Sequence, residues 1–457
     1  MLLKNTEDLI VSLSSGLEKS AVALIRFSGK DCVKTVNFFL NPKVEKSKIV
    51  PGQIKKVKII SEEGELIDNA LGVFYISPKS YTGQDMLELF CHGSPYIIKK
   101  TLSLAHKYGA RQALPGEFTF RAYINGKLNL SQAEAVNDLI NSETEKQHKA
   151  AISQLKGDLS EKIKSYREKI ISLLAELEVR IDDTYEEVSD LDKKSYLARL
   201  EELKQDISRS ASSFEKGNLI KKGVNTVICG LPNCGKSSLL NRLAGYERAI
   251  VSPIAGTTRD VVEETAEIAG YKFSFSDTAG LNKNAKDEVE KEGIKRSEKA
   301  VKKADIVIFV RDLSQKESKE EKEAFEFVTA LKSDTAKLIE AFSKSDLPKA
   351  REPKTGFPVF SSLTGEGIER LKDILADFCA DGNFSYSSAV TSLRHYESLS
   401  EALCAVEKAY ENAFKNGPME ITAENLRQSL SSIGEIAGET VPEDILAEIF
   451  SNFCVGK

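Results

Sequence analysis

The sequence predicts a multidomain α/β protein: an N-terminal α+β domain, a helical bundle made of two chain segments, and a P-loop nucleotide-binding domain inserted between those segments. Three observations predict it. Gly230-Leu-Pro-Asn-Cys-Gly-Lys-Ser-Ser238 reads G-x-x-x-x-G-K-S, after a β-branched run, Val224 to Cys229, and before a helix-forming run with apolar Leu239, Leu240 and Leu243. On both sides of this insert, over about 126–222 and 380–457, apolar residues recur at helical spacing. Ahead of them, residues 1–125 mix short β-type runs with turns.

Composition narrows the function. The 457 residues carry a net charge of −5, so no overall basic field captures nucleic acid and any RNA contact must use a local patch. No apolar run approaches the ~18 residues of a membrane span. The first eight residues carry acids where a signal peptide needs an apolar core. Seven cysteines without a C-x-x-C pair and four dispersed histidines indicate neither a zinc site nor a disulfide framework, and the expected compartment is the cytosol.

In the N-terminal stretch, Val22 to Arg26 and Ala70 to Ile76 read as strands, and Asp31 to Phe39 and Ser94 to Tyr108 as helices. Two stretches rich in Gly, Pro and polar residues, Ser80 to Gly93 and Gly109 to Lys127, read as loops that either carry function or cap strands. Ser131 with Glu134 fits a capping box. Leu155, Leu159, Ile163, Tyr166, Ile170, Leu173 and Leu177 form a narrow helical seam suited to bundle packing. Gly217 to Gly223 breaks the pattern, which resumes after Asp381 to Ser388. Neither helical half buries its seam alone, so the two should pack together.

The insert, 223–379, presents the parts of a Ras-like G domain in order. N–H groups of Asn233, Cys234, Gly235, Lys236, Ser237 and Ser238 face phosphate; Lys236 neutralises β/γ charge and the Ser237 hydroxyl ligates Mg²⁺. In the loop Ser252, Pro253, Ile254, Ala255, Gly256, Thr257, Thr258, the last residue is placed to complete the Mg²⁺ shell. A strand over Tyr271 to Ser276 delivers Asp277, Thr278, Ala279 and Gly280, with Asp277 the Mg²⁺ carboxylate and the Gly280 N–H facing the γ-phosphate. Strands at Asp305 to Val310 and Ala336 to Phe342 follow. The second ends at Ser343-Lys344-Ser345-Asp346, where Asp346 accepts two hydrogen bonds from guanine; Ser361, Ser362 and Leu363 fit the last base-contacting loop. Ser343 stands where asparagine is usual, a change of about 1 kcal/mol in guanine affinity. Leu281 stands where Ras-like proteins place a water-orienting Gln.

These motifs, with Tyr81-Thr-Gly, Cys91-His-Gly, Pro115-Gly-Glu-Phe-Thr, Arg121-Ala, Asn125-Gly-Lys-Leu, Ser131-Gln-Ala-Glu-Ala and the tail Phe453-Cys-Val-Gly-Lys457, resemble the MnmE (TrmE) family of tRNA-modification GTPases along essentially the whole chain. The resemblance implies a homodimer joined through the N-terminal domain. It implies a flavoprotein partner of the MnmG type in a heterotetramer, and addition of a carboxymethylaminomethyl-type group to the wobble uridine of certain tRNAs. It further implies a tetrahydrofolate one-carbon donor held by Arg26, Glu88 and Lys127 with Lys457 nearby, and K⁺ at Asn233, Ser252, Ile254 and Thr257. Glu290 matches the residue that orients the attacking water, beside Asp277 and Lys236. Two segments depart from the family pattern, Ser14 to Ser20 and Thr391-Ser-Leu-Arg-His395. The competing reading is a ribosome-assembly-type RNA-binding GTPase switch; it needs a basic RNA-binding module, and the flanks are α+β and helical instead. A prenylation box at Cys454 is rejected on its final Gly-Lys. Cys454 itself reads as a small buried or site-lining residue, with a catalytic thiol the alternative.

Overall fold

The computed structural model describes residues 6–16, 18–181, 191–245, 263–277, 297–353, 355–379, 389–439 and 441–456. The chain divides into two compact units, one of residues 1–140, 154–204 and 401–457, the other of 141–153 and 205–400.

In the first unit, seven strands form one sheet. They are β1 (Ile10–Leu13), β2 (Ser20–Ser28), β3 (Leu40–Asn41), β4 (Ile54–Ile60), β5 (Leu66–Tyr75), β6 (Met86–Gly93) and β7 (Arg111–Gln112), in the order β3-β4-β5-β6-β2-β1-β7. Every pairing is antiparallel except β1 with β7. Helices α1 (Cys32–Val36) and α2 (Pro95–Lys107) contribute to the core on one face, where Ile25, Phe27, Phe74, Leu87 and Leu89 lose all exposure. The stretch Ser80 to Gly93, read above as a loop, therefore ends in a central strand. Its polar residues mask a period of two: Leu87, Leu89 and Cys91 enter the core while Glu88, Phe90 and His92 take the other face. The helix expected over Asp31 to Phe39 is only the five residues of α1, since Leu40–Asn41 turns back to pair with β4.

The second polar stretch contains α3 (Glu117–Ile124), and its charges are structural. Arg121 is fully buried. Its Nη1 donates to the Asp8 carbonyl at 2.6 Å and Gln84 Oε1 at 3.1 Å; its Nη2 donates to Asp8 Oδ1 at 2.6 Å and Glu117 Oε1 at 2.8 Å. Arg111 brackets both carboxylates from outside, with Nη2 2.7 Å from Glu117 and Nε 2.7 Å from Asp8. Burial pushes both acids up, but the bonds from Arg111 and Arg121, and the Leu114 N–H on Glu117, outweigh it and hold both below the usual carboxylate range.

The helices are α4 (Leu130–Ile140), α5 (Glu145–Lys156), α6 (Asp158–Ile181), α7 (Lys193–Ser212), α8 (Phe214–Lys222), and later α13 (Leu393–Phe414), α14 (Met419–Ala437) and α15 (Glu443–Ser451). The seam from Leu159 to Leu177 is buried along α6, which packs on α14, so segments from before and after the insert join as expected. Leu155 belongs to the preceding helix, because Gly157 at φ 96° breaks the chain direction. The capping box is Asn129 with Gln132, not Ser131 with Glu134: Asn129 Oδ1 accepts from the Gln132 N–H at 2.9 Å and Gln132 Oε1 from the Asn129 N–H at 3.1 Å, while Ser131 is already inside the helix and buried. Gly217 does not interrupt α8; a Cβ there would sit 2.0 Å from the Val390 carbonyl, so glycine serves a close approach. At the far end, Phe450 of α15 meets Phe120 edge-on at 5.2 Å, with Phe453 and Leu130 in the same cluster.

The second unit holds β8 (Val224–Cys229), α9 (Lys236–Gly245), β9 (Glu263–Ile268), β10 (Tyr271–Asp277), a helix α10 described over 297–303, β11 (Ile306–Asp312), α11 (Lys319–Leu331), β12 (Lys337–Ser343) and α12 (Ile368–Cys379). The sheet order is β12-β11-β8-β10-β9, parallel apart from the β9–β10 hairpin. The apolar runs of β11 and of the end of β8 are continuous because both faces are covered there: Ile228 and Ile308 enter one core, Val227, Val307 and Phe309 the other. With β10 on one side of β8 and β11 on the other, the carboxyl end of β8 is a topological switch point, where α/β sheets bind ligands. Among the described residues, no helix is long and apolar enough to cross a membrane.

Arg121→Met should destabilise the N-terminal sheet by about 3–5 kcal/mol, because it leaves Asp8 and Glu117 with a buried partner missing. The depressed acids also fix the pH sign. Their stabilisation is present above the ordinary carboxylate values of about 4 and is lost as pH falls through the lower folded-state values. Acid titrations followed by circular dichroism should show a shallower acid limb in Asp8→Asn/Glu117→Gln; an unchanged limb would contradict this network.

Candidate functional site

The carboxyl edge of the five-stranded sheet gathers those residues expected to hold nucleotide that the structure describes. The loop after β8 turns on Gly230 (φ 147°), where a Cβ would lie 2.5 Å from the Val310 carbonyl, then on Asn233 (φ 61°) and Gly235 (φ 97°). This curls the backbone N–H groups inward at the start of α9. Lys236 is 8% exposed and its ammonium donates to the carbonyls of Gly230 at 3.1 Å and Leu231 at 2.9 Å, held within the loop that is to receive phosphate. Asn233, Ser237 and Ser238 are exposed and Gly235 half-buried. Cys234 is buried, and burial raises its thiol pKa, which suits a packing role. Asp277 closes β10 in register with Ile228, so its backbone reaches the same edge.

The two loops expected to read the base lie beside the ends of β11 and β12. Ser343 Oγ lies 2.6 Å from the Cys234 carbonyl and 3.1 Å from that of Arg311, so the hydroxyl ties the loop after β12 to the P-loop despite its short reach. Lys344, at φ 59°, pairs with Asp312 Oδ2 at 2.6 Å. Burial raises the Asp312 carboxyl, but bonds from Lys344 and Ser314 hold it below its usual range. Arg351 donates to the Asp312 carbonyl from Nη2 at 2.7 Å and to Glu321 from Nη1 at 2.9 Å. Asp346 is exposed beyond this anchor. The Phe360 N–H on the Phe342 carbonyl at 2.8 Å sets the last loop alongside; there buried Ser361 accepts from the N–H groups of Leu363 and Thr364, Ser362 follows it, and Leu363 stands 82% exposed. Ser252, Pro253, Ile254, Ala255, Gly256, Thr257, Thr258, Thr278, Ala279, Gly280, Leu281, Glu290 and Lys457 lie outside the described residues.

A second constellation lies on the face of the seven-stranded sheet opposite its main core. Arg26 on β2 and Glu88 on β6 are register partners, and both guanidinium Nε and Nη2 reach Glu88 Oε1, at 3.0 and 2.7 Å. Arg26 Nη1 donates to the Gly456 carbonyl at 3.2 Å, and the guanidinium lies 5.8 Å from the Tyr81 ring and 5.7 Å from Phe118. The tail is fixed by the Pro115–Val455 bridge and by Ser14 Oγ on the Gly456 carbonyl. Arg26 and Glu88 thus form one ion pair with 11% and 17% side-chain exposure, not two independent charges. Lys127 is exposed in the turn after α3 and, among the described residues, makes no hydrogen bond or ion pair with Arg26 or Glu88; Cys454 is also exposed. Sequence reading missed Asp312, Arg351, Tyr81, Phe118 and the Gly456 carbonyl as site groups. Tyr81 and Phe118 do sit inside motifs already singled out; a backbone carbonyl leaves no signal.

Ser343→Ala should weaken guanine-nucleotide affinity by about five- to tenfold, one hydrogen bond of about 1 kcal/mol, without unfolding the unit. Titration with a fluorescent GDP checks it; unchanged affinity would show that the tie to Cys234 does not set the site.

Two family models match the chain: "GTP-binding protein TrmE N-terminus" over residues 9–127 and "MnmE helical domain" over 130–454. The chain is 38% identical over 462 residues to the tRNA modification GTPase MnmE of Cytophaga hutchinsonii, covering 99% of this chain and 98% of that protein. It is 38% identical over 455 residues to that of Thermotoga maritima (98% and 100%) and 38% identical over 452 residues to that of Aquifex aeolicus (98% and 99%). Because these matches run through the P-loop and both of its flanks, the chain belongs to the MnmE (TrmE) family of tRNA modification GTPases.

Proposed function

We propose that this GTPase couples GTP hydrolysis to modification of the wobble uridine of certain tRNAs. It would act as a homodimer with a flavoprotein partner of the MnmG type, adding a carboxymethylaminomethyl-type group whose one-carbon unit comes from a tetrahydrofolate derivative. Residues 1–125 would serve the folate and the dimer, 223–379 the nucleotide, and 126–222 with 380–457 would form the helical bundle. The observation that carries the reading is the convergence of Glu88 and the Gly456 carbonyl on Arg26 beside two aromatic rings, an arrangement that GTP hydrolysis alone does not require.

At the nucleotide, the P-loop N–H groups and Lys236 hold the β- and γ-phosphates, and Asp346 selects guanine by accepting from its N1–H and 2-amino group. Ser237 and Thr258 would hold Mg²⁺, with Asp277 behind it. Asn233, exposed on the shoulder of the P-loop, fits an oxygen ligand for K⁺, with Ser252, Ile254 and Thr257. When bound, the two cations would supply positive charge beside the phosphates, which Leu281 and a P-loop without arginine do not. Glu290 would orient the water. In the N-terminal domain the donor set fits a flat, amide-edged ring with an anionic tail: Glu88 Oε2, loosely met by the Tyr75 hydroxyl at 3.5 Å, can accept from the ring, and Lys127 and Lys457 offer charge for the tail.

Mass spectrometry of tRNA wobble nucleosides from cells lacking the protein should show the modified uridine gone; intact modification would overturn the proposal. Glu88→Ala should abolish reduced-folate binding by calorimetry and leave GTP hydrolysis near normal, and retained affinity would remove the folate assignment. GTP turnover and pairing of G domains should rise together in K⁺, Rb⁺ or NH₄⁺ and not in Na⁺, and Asn233→Ala should lose that response while still binding GTP. Equal turnover in Na⁺ and K⁺ at matched ionic strength would exclude the cation role.

A further inference from the structure

The charge of this chain is unevenly spread. Between residues 30 and 60 stand eight lysines, no arginine and two acids, Asp31 and Glu45, in a protein whose net charge is −5. The fold gathers four of those lysines, Lys30, Lys34, Lys43 and Lys46, around a cleft of about 810 Å³ that shares no residue with the Arg26–Glu88 pair. Glu7, Asp31 and Asp85 also line it. Asp85 is buried and neutralised by Lys46, and it accepts the Ser77 N–H as well. Lys30, Lys34 and Lys43 are exposed and, among the described residues, make no ion pair. Their placement is fixed by the backbone: the Asn37 amide clamps Val44 through two bonds of 2.8 Å, holding the loop that carries Lys43 and Lys46 against α1, which carries Lys34. At the rim, Phe38 stacks on Tyr108 with centroids 4.7 Å apart and planes 9° from parallel, yet stays 56% exposed.

Ammonium groups suit phosphates as point charges, and an exposed, buttressed aromatic ring beside them suits stacking of an unpaired base. We propose that this cleft is an RNA contact surface, Lys30, Lys34 and Lys43 meeting the phosphodiester backbone of tRNA and Phe38 stacking on a base. The assignment rests on the tRNA-modification reading above and supplies the local basic patch that the acidic whole requires.

The test uses the full-length protein and unmodified tRNA transcript, with binding measured across a salt series. Lys30→Gln/Lys34→Gln/Lys43→Gln should raise the Kd at least tenfold near 0.1 M salt and make the log Kd against log salt slope shallower by about 2 to 3. Phe38→Leu should raise the Kd about fivefold and leave the slope unchanged. GTP hydrolysis without tRNA and the thermal melt should stay as in the wild type. The charge control is Lys164→Gln/Lys319→Gln/Lys415→Gln, whose lysines are exposed in i,i+4 pairs elsewhere; it should bind as the wild type does. Wild-type protein that binds no tRNA at low salt would sink this proposal together with direct tRNA engagement. Equal binding by wild type and the cleft variant would overturn the cleft alone. Equal tRNA binding with lost capture of the flavoprotein would overturn the RNA assignment in favour of an acidic protein partner.

Discussion

One buried guanidinium holds the N-terminal domain in its working shape. Arg121 joins the chain before β1, through Asp8, to the turn before β6, through Gln84, and to its own helix through Glu117. The helix so fixed presents three successive side chains to three tasks. Phe118 walls the Arg26–Glu88 pair, Thr119 bonds the Tyr81 hydroxyl at 2.9 Å, and Phe120 receives Phe450 of the C-terminal helix. A buried ion pair is weak evidence of net stability, since desolvation offsets much of its Coulomb energy. What it secures here is orientation: if α3 rotated, the aromatic wall, the tyrosine and the anchor of the tail would all move together.

The G-domain site depends on a different constraint, that parallel strands end together. Cys229, Asp277, Asp312 and Ser343 close β8, β10, β11 and β12, so four strand ends with unrelated sequences meet at one edge without further instruction. Short polar ties then set their spacing, Ser343 to the P-loop carbonyl and Lys344 to Asp312.

This explains what could be read from sequence. The P-loop and its flanking strand and helix were legible because the signal is local, and the strand at Ile306 to Asp312 because burial on both faces leaves an unbroken apolar run. The strand at Met86 to Gly93 was not, because only its neighbours β2 and β5 reveal which of its residues are inside. Glu117 and Arg121 looked like loop charges, since burial of an ion network is decided by residues about a hundred positions away. Asn129 won the helix cap from Ser131 by standing two residues earlier, just before the helix begins at Leu130, a difference within the usual uncertainty of helix ends. In the candidate sites, side chains with charge were found and their pairing was not: nothing in the sequence says that Arg26 and Glu88 satisfy each other.

The bond from Arg26 to the Gly456 carbonyl spans 430 positions of chain, and its consequence is kinetic. Contacts of such separation form late, after local structure has condensed. During synthesis the N-terminal sheet leaves the ribosome first, and at roughly 5–20 residues per second α3 waits on the order of 20–60 s before α15 exists. Throughout that interval Phe120 and Leu130 lack their covering residues Phe450 and Phe453. The nascent chain therefore leaves these apolar side chains uncovered until its last helix is made, and the bond from Arg26 to the tail is among the last contacts of the molecule to form.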